Sequence, residues 1–230
     1  MFSRGIIFAV ALQAALASAT QVGPTRVSEF LETNITDHDS TLHNRAALGT
    51  AIVSNRCDHD IWLWSVDERT NKGPIKIPKR SKYSEPMRNP CNGCGISLKI
   101  SNSNQLQGGK QTQFEYAIAN NQIYYDISFV DCAKGNNADN CPGHAHGLRI
   151  DSPQKSCGVL NCASGAYCVH DAYYVDDPLA KMGIKAPVLG CGPGKTNMDL
   201  YFKVCSDMAP LKREVSSVAG RIVVEKEIDF

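Results

Sequence analysis

The sequence predicts an all-β protein, an antiparallel β-sandwich whose loops are stapled by disulfide bonds. Apolar and polar residues alternate with period two in several short stretches, and turn-forming residues separate these stretches. Such alternation is typical of strands with one buried and one polar face. An even set of ten cysteines in the same region indicates five disulfides in an exported chain. The cysteines are Cys57, Cys91, Cys94, Cys132, Cys141, Cys157, Cys162, Cys168, Cys191 and Cys205.

Four segments carry the alternation most clearly: ISLKIS at 96–101, QFEYAI at 113–118, IYYDISF at 123–129 and DLYFKVC at 199–205. The ANNQ segment at 119–122 predicts a hairpin between the second and third of them. TAIVSN at 50–55 and DIWLWSV at 60–66 are predicted as a first pair of strands. One short helix is predicted in DDPLAKMG, because Asp177 can cap it, Pro178 suits its first position and Gly183 suits its end.

The chain divides into four parts by composition. Residues 1–19 are predicted to be a signal peptide, with Arg4 before an apolar run and a small-residue cleavage site at Ala17-Ser18-Ala19. Residues 20–48 are expected to be a flexible or pro-segment, with a glycosylation sequon at Asn34. Residues 49–207 hold all the cysteines and are predicted to form the sandwich domain. Residues 208–230 form a tail in which Lys212-Arg213 is a possible processing site.

These features predict a secreted protein, extracellular or attached to a cell wall. A formal net charge of +1 argues against a nucleic-acid partner, because proteins that bind nucleic acids usually carry a basic excess. No later apolar run is long enough for a membrane span, so we expect no membrane partner. We also expect a monomer with no cofactor.

The order of several segments resembles a fungal family. AIVSNRCDHDIWLWSVD is similar to the opening strands of thaumatin-like proteins. Three further segments resemble the fungal antigenic thaumatin-like proteins, also called the Blastomyces yeast-phase-specific protein family. They are the tyrosine-rich strand ending in VDC with the CPGHAHGLRI that follows it, the C-x4-C-x5-C run at 157–168, and the last strand ending in Cys205. The resemblance covers about residues 49–206.

The resemblance implies a thaumatin-like β-sandwich. By analogy, it implies disulfides Cys57–Cys205, Cys91–Cys94 and Cys162–Cys168; the spacing alone leaves the pairing open. Members are small secreted or wall-associated proteins, some of them antigens, and the fold itself supplies no reaction. The chain has fewer cysteines than the larger plant thaumatin-like proteins, and their arginine–acidic cleft cannot be matched residue by residue. Their glucan-hydrolysing site is therefore not carried over.

Two histidines in CPGHAHGLRI raise the possibility of a metal site. On a strand, His144 and His146 would point to the same side and could share an ion, with His59, His170 or Asp171 as further ligands. A continuous strand would put both on the core face with Leu148 and Ile150, so Gly147 must break the register or 142–147 must be a loop. The favoured expectation is a turn with exposed histidines, and a metal site through His144 and His146 is the alternative.

A glycosidase would need two carboxylates in one cleft. Asp126, Asp176 and Asp177 are the candidates we retain, among the further acids Asp131, Asp151 and Asp171. The HDAYYVDD segment places Tyr173 and Tyr174 among acids, as sugar-binding clefts often do, although an acidic loop that caps a helix explains the same letters. The C-x-x-C at 91–94 lies in a turn and is expected to be a structural disulfide, not a redox site.

The segment 69–88 is rich in basic residues and in proline, so it predicts an extended loop or an edge strand. Lys76, Lys79, Arg80 and Lys82 are its candidate contacts for an anionic glycan or surface. The sequence therefore favours a non-catalytic protein that associates with cell-wall polysaccharide or a host surface molecule, as an antigen or effector. A β-1,3-glucanase-type glycoside hydrolase and metal binding through His144 and His146 are the alternatives.

Overall fold

The structure is a computed structural model that describes residues 48–106 and 110–211, with two short strands at 215–218 and 221–224. The predicted signal peptide, nearly all of the segment at 20–48, Asn34 and Lys212-Arg213 lie outside the described residues. Thirteen strands occur in these ranges. They are β1 (Thr50–Asn55), β2 (Ile61–Val66), β3 (Asn71–Ile77), β4 (Ser81–Pro86), β5 (Gly95–Ser101), β6 (Thr112–Ala119), β7 (Gln122–Ser128), β8 (Leu148–Asp151), β9 (Leu160–Cys162), β10 (Leu189–Gly190), β11 (Leu200–Val204), β12 (Val215–Val218) and β13 (Arg221–Val224).

The strands form two main sheets. The five-stranded sheet has the order β4-β1-β11-β8-β9 and the six-stranded sheet has the order β10-β7-β6-β5-β2-β3. Neighbouring strands are antiparallel, except that β1 and β11 run parallel. Strands β12 and β13 pair with each other as a separate hairpin. The predicted all-β class is confirmed.

The core lies between the inner faces of the two sheets. The alternating apolar residues predicted from the sequence point inward and are fully buried, among them Leu98 on β5 and Ile127 on β7. The rings of Phe114 and Phe202 join the sheets, with centroids 5.4 Å apart. Burying one such side chain stabilises the fold by roughly 1.5–3 kcal/mol. The apolar positions of the period-two pattern are therefore the residues that form this core.

The predicted pairing of the first two strands is wrong. Strand β1 pairs with β4 and β11, whereas β2 pairs with β3 and β5 in the other sheet. The chain changes sheets at a corner that the buried Asn55 holds. Its amide nitrogen lies 3.0–3.1 Å from the carbonyl oxygens of His59, Ile77 and Pro78, and its Oδ1 accepts the Cys57 N–H. These bonds satisfy the backbone groups of a corner that cannot join a ladder.

The hairpin and the helix follow the predictions. Strands β6 and β7 are joined by Asn120 and Asn121, both at positive φ, as the tight turns between antiparallel strands require. Helix α1 spans Pro178–Met182 and ends at Gly183 in the left-handed conformation. Asp177 caps it by accepting the Ala180 N–H at 3.0 Å. The basic segment is also as predicted, because β3 and β4 are the edge strands of the two sheets.

All ten cysteines are paired, in the disulfides Cys57–Cys205, Cys91–Cys94, Cys132–Cys141, Cys157–Cys191 and Cys162–Cys168. The three pairs that the resemblance implies are among them. Cys57–Cys205 closes the longest loop, because it joins the residues just beyond β1 and β11 across a sequence separation of 148. The other pairs hold loops in place.

Candidate functional site

The outer face of the six-stranded sheet carries a continuous set of polar and aromatic side chains, which we call the polar face. Along one row, Trp64 lies opposite Lys99, Lys99 opposite Gln113, and Gln113 opposite Ser128. Tyr173 extends this row, because its backbone bridges to Ser128 at the sheet edge. The polar face comprises Trp62, Trp64, Lys76, Ser97, Lys99, Gln113, Glu115, Tyr124, Asp126 and Tyr173.

Two carboxyl groups face each other at the centre of the polar face. Glu115 on β6 lies directly opposite Asp126 on β7, and both side chains are partly buried. Burial raises the pKa of Asp126 well above its usual range, and the neighbouring Glu115 carboxylate raises it further. Burial also raises the pKa of Glu115, although the Lys99 ammonium opposes this shift. The pair therefore retains a proton to higher pH than two separate carboxyls would.

Neighbouring groups fix the surroundings of the pair. Ser97 Oγ donates to Gln113 Oε1 at 2.9 Å. Lys99 Nζ lies 3.9 Å from Asp131 Oδ2, which also accepts a hydrogen bond from the Gln111 side-chain amide. Asp131 is thus held by a cation and an amide, so the Lys99 side of the face carries both signs of charge.

The geometry of the carboxyl pair suits binding better than hydrolysis. Glycosidases keep their two carboxyl groups roughly 5–9 Å apart, so that a sugar or a water fits between them. Glu115 and Asp126 instead lie directly opposite each other on neighbouring strands, close enough that each carboxyl shifts the pKa of the other. Carboxyl oxygens beside aromatic rings can accept hydrogen bonds from hydroxyl groups.

The other two acid candidates have local partners. Asp177 is the helix cap described above, and Asp176 forms an ion pair with Lys181 on the same helix. Both side chains are exposed. The Lys181 ammonium lowers the pKa of Asp176, which holds it ionised near neutral pH. The roles that the structure gives these acids are the capping and pairing of a short helix.

The two tyrosines predicted as ligand-binding candidates, Tyr173 and Tyr174, are largely buried. Tyr173 is 9% exposed and Tyr174 is 5% exposed. The Tyr173 backbone extends the edge of β7, and its hydroxyl pKa is raised by burial and by the Asp126 and Glu115 carboxylates. Tyr174 packs edge-on against Phe129, with centroids 5.3 Å apart. Tyr173 therefore contributes to the floor of the polar face, and Tyr174 contributes to the interior.

The basic candidates do not form one cluster. Lys76 lies opposite Trp62 and so belongs to the polar face, where its ammonium pairs with Asp60 at 2.7 Å. Lys79 and Arg80 form the turn between β3 and β4, and the Arg80 guanidinium donates to the backbone carbonyl oxygens of Arg56 and Pro210. Lys82 is exposed on β4, in the other sheet.

The two histidines are separated, and the expectation that both are exposed is wrong for His144. Residues 144–146 form one turn of 3-10 helix that ends before β8. His144 is 2% exposed and packs edge-on against Phe129, whereas His146 is exposed. Among the described residues, one group of three potential metal ligands lies close together: Glu68, Cys91 and Cys94. The two cysteine sulfur atoms of this group are joined in a disulfide.

Glu115, Lys99, Trp62 and Trp64 were not among the site residues predicted from the sequence. A signal for Glu115 was present, since the alternation placed it on the polar side of its strand. Combining that pattern with the predicted hairpin at 119–122 would have set Glu115 opposite Asp126. The aromatic residues gave no comparable signal, because tryptophan in a strand is compatible with either face.

The chain is similar to several known proteins, among them two fungal relatives and two solved structures. The antigenic thaumatin-like protein of Arthroderma benhamiae is 32% identical over 126 residues, which are 55% of this chain and 60% of that protein. The secreted thaumatin-like protein calA of Emericella nidulans is 29% identical over 134 residues, 58% of this chain and 74% of that protein. The protein elicitor MoHrip2 from Magnaporthe oryzae superposes with a TM-score of 0.49 at 20% identity, covering 68% of this chain and 98% of that chain. The thaumatin-like xylanase inhibitor TLXI gives 0.40 at 12% identity, covering 66% of this chain and 97% of that chain.

The relatives' names bear on fold and location. Both are called thaumatin-like and one is called secreted, which confirms the predicted thaumatin-like fold and the predicted secretion. In the described part of the chain, no helix is long and apolar enough to cross a bilayer. The characteristic sequence of the Blastomyces yeast-phase-specific proteins matches residues 40–206. The chain belongs to the Blastomyces yeast-phase-specific protein family.

Proposed function

We propose that the protein is a non-catalytic binding protein that associates with cell-wall polysaccharide through the polar face. The observation that carries the proposal is the contact between Glu115 and Asp126 at the centre of a face that also presents aromatic rings and an amide. Carbohydrates offer hydroxyl groups to such acceptors and C–H faces to aromatic rings. The face mixes Lys76 and Lys99 with the two acids, which favours an uncharged glycan over a strongly anionic one.

The proposal assigns distinct roles to the face residues. Tyr124 and Trp62 are partly exposed and would supply the stacking surface. The Glu115–Asp126 pair would accept hydrogen bonds from the hydroxyl groups of the glycan. Trp64 and Tyr173 are nearly covered and would support the others from below.

Retention of the refolded chain on insoluble β-glucan, chitin and intact fungal walls tests this function, with albumin as the background. Tyr124→Ala should weaken retention roughly 2- to 10-fold, the scale of one lost aromatic contact. Tyr167→Ala is the matched control, because Tyr167 is 48% exposed and is not one of the polar-face residues. Retention no better than albumin on all three materials would contradict the proposal, as would equal losses in the two variants.

The same preparations distinguish the alternatives. Release of reducing sugar from laminarin, abolished by Asp126→Asn, would show that the face is catalytic and would overturn the non-catalytic assignment. Equal release by the wild type and by the Asp176→Ala, Asp177→Ala double variant would exclude those two acids as the catalytic pair. Binding to host cells without retention on any glycan would replace the polysaccharide with a host surface molecule as the partner.

A further inference from the structure

His144, the first residue of the 3-10 turn, has a buried ring nitrogen without a hydrogen-bond partner among the described residues. His144 Nε2 lies 2.9 Å from the carbonyl oxygen of Ala166. A carbonyl only accepts, so Nε2 carries the proton and Nδ1 carries the lone pair of the neutral ring. Nδ1 is buried and has no hydrogen-bond partner among the described residues. Buried polar atoms are nearly always satisfied, so this nitrogen needs an explanation.

The Asp139 carboxylate faces this nitrogen, and hydrogen bonds to Asn137 fix the orientation of that carboxylate. Asp139 Oδ1 lies 3.8 Å from His144 Nδ1. The other oxygen, Oδ2, accepts a hydrogen bond from Asn137 Nδ2 at 2.9 Å, and the Asp139 N–H donates to Asn137 Oδ1 at 2.9 Å. The Cys132–Cys141 disulfide closes the loop that carries Asp139. The loop therefore presents Oδ1 towards the ring.

A cation between two lone-pair atoms that face each other would satisfy both of them. A proton would bridge them poorly, because 3.8 Å exceeds the length of a good hydrogen bond. A metal ion with bonds of about 2.0–2.2 Å spans the gap, and a shift of roughly 0.4 Å in the exposed Asp139 gives tetrahedral spacing. The far atoms of both groups already have partners, Ala166 O on the ring and Asn137 on the carboxylate. Metal ligands usually show such outer hydrogen bonds.

A surface cavity gives the ion access to Asp139. It has a volume of about 360 Å³, and Asp139 is among the residues that line it. We propose that His144 Nδ1 and Asp139 Oδ1 bind one divalent transition-metal ion, with water completing the coordination. An imidazole nitrogen with a carboxylate suits zinc or copper, not calcium or magnesium. The site differs from the strand-like His-x-His pair, because His144 lies inside the fold whereas His146 is exposed.

Calorimetric titration of the full chain with zinc chloride, and separately with a copper(II) salt, at pH 7 tests the site. The wild type should bind one equivalent, and Asp139→Asn should weaken binding by at least roughly tenfold, the smallest effect expected when even an outer partner is lost. Asp176→Asn is the control, because Asp176 is likewise an exposed acid with a local partner.

A second readout locates the metal. In 15N spectra of histidine side chains, zinc should shift Nδ1 of His144 and leave its Nε2 nearly unchanged. Three results would overturn the proposal: no saturable binding of either metal, equal affinities for Asp139→Asn and Asp176→Asn, or shifts confined to the histidines other than His144. Melting curves without metal check that each variant folds.

Discussion

Removal of the Cys57–Cys205 disulfide should destabilise the domain far more than removal of Cys91–Cys94. The first closes a loop with a sequence separation of 148, and the second closes one of 3. Loop-closure entropy then assigns about 5 kcal/mol to the long bridge and about 1.6 kcal/mol to the short one. The bridges nested inside the long loop shorten it, but the logarithmic dependence on length changes the first value by only a few tenths of a kcal/mol.

Urea unfolding of the wild type and of two double variants measures this difference. Cys57→Ala with Cys205→Ala suits the long bridge, because both cysteines are fully buried and alanine keeps a small apolar group there. Cys91→Ala with Cys94→Ala is the matched pair. With a slope of about 2 kcal/mol per molar urea, the two midpoints should differ by about 1.5 M. Equal midpoints with equal slopes would refute the reasoning from loop length.

Two further changes give expected outcomes. Asp126→Asn should gain stability relative to the wild type as pH rises, because the folded pKa values of Asp126 and Glu115 lie above their ordinary values of 3.8 and 4.5. The wild type therefore loses stability from about pH 4 upward, by roughly 0.2–1 kcal/mol for opposed like charges. Melting temperatures from pH 4 to 8 that diverge in the opposite sense would contradict this. Asn55→Ala should cost about 3 kcal/mol, because it leaves the carbonyl groups of Ile77 and Pro78 without the amide donor. A urea midpoint within 0.5 M of the wild type, a bound set by roughly 1 kcal/mol at that slope, would show that the corner does not depend on this amide.

The parts of the fold that depend on local pattern were predictable from the sequence. Alternation identified β5, β6, β7 and β11, because each buries one face against the opposite sheet. Helix α1 was predictable because its cap, its first residue and its terminal glycine are adjacent in sequence. The partners of β1 and β2 were not predictable, since the change of sheet depends on contacts between Asn55 and carbonyls more than twenty residues away.

The candidate site was less accessible to sequence reasoning. Tyr173 and Tyr174 are adjacent residues in a segment without regular structure, where no strand or helix period predicts which way a side chain points. His144 is buried because a 3-10 turn, not a strand, precedes β8, and turn geometry depends on Gly143 and Gly147 at positive φ. The opposition of Glu115 and Asp126 was implicit in two strand patterns and one hairpin. The raised pKa values of the two carboxyls could not be predicted, because they depend on how deeply the pair is buried.

The position of β11 has a consequence for the order of assembly. Leu200–Val204 lies at the centre of the five-stranded sheet, with β1 on one side and β8 on the other. A growing chain that has not yet released this segment can complete the six-stranded sheet, but it holds β1–β4 and β8–β9 as two separate strand pairs. Contacts between residues so distant in sequence slow folding. Closure of the sandwich therefore follows synthesis of nearly the whole domain, and until then the apolar inner face of the five-stranded sheet stays divided between the two strand pairs.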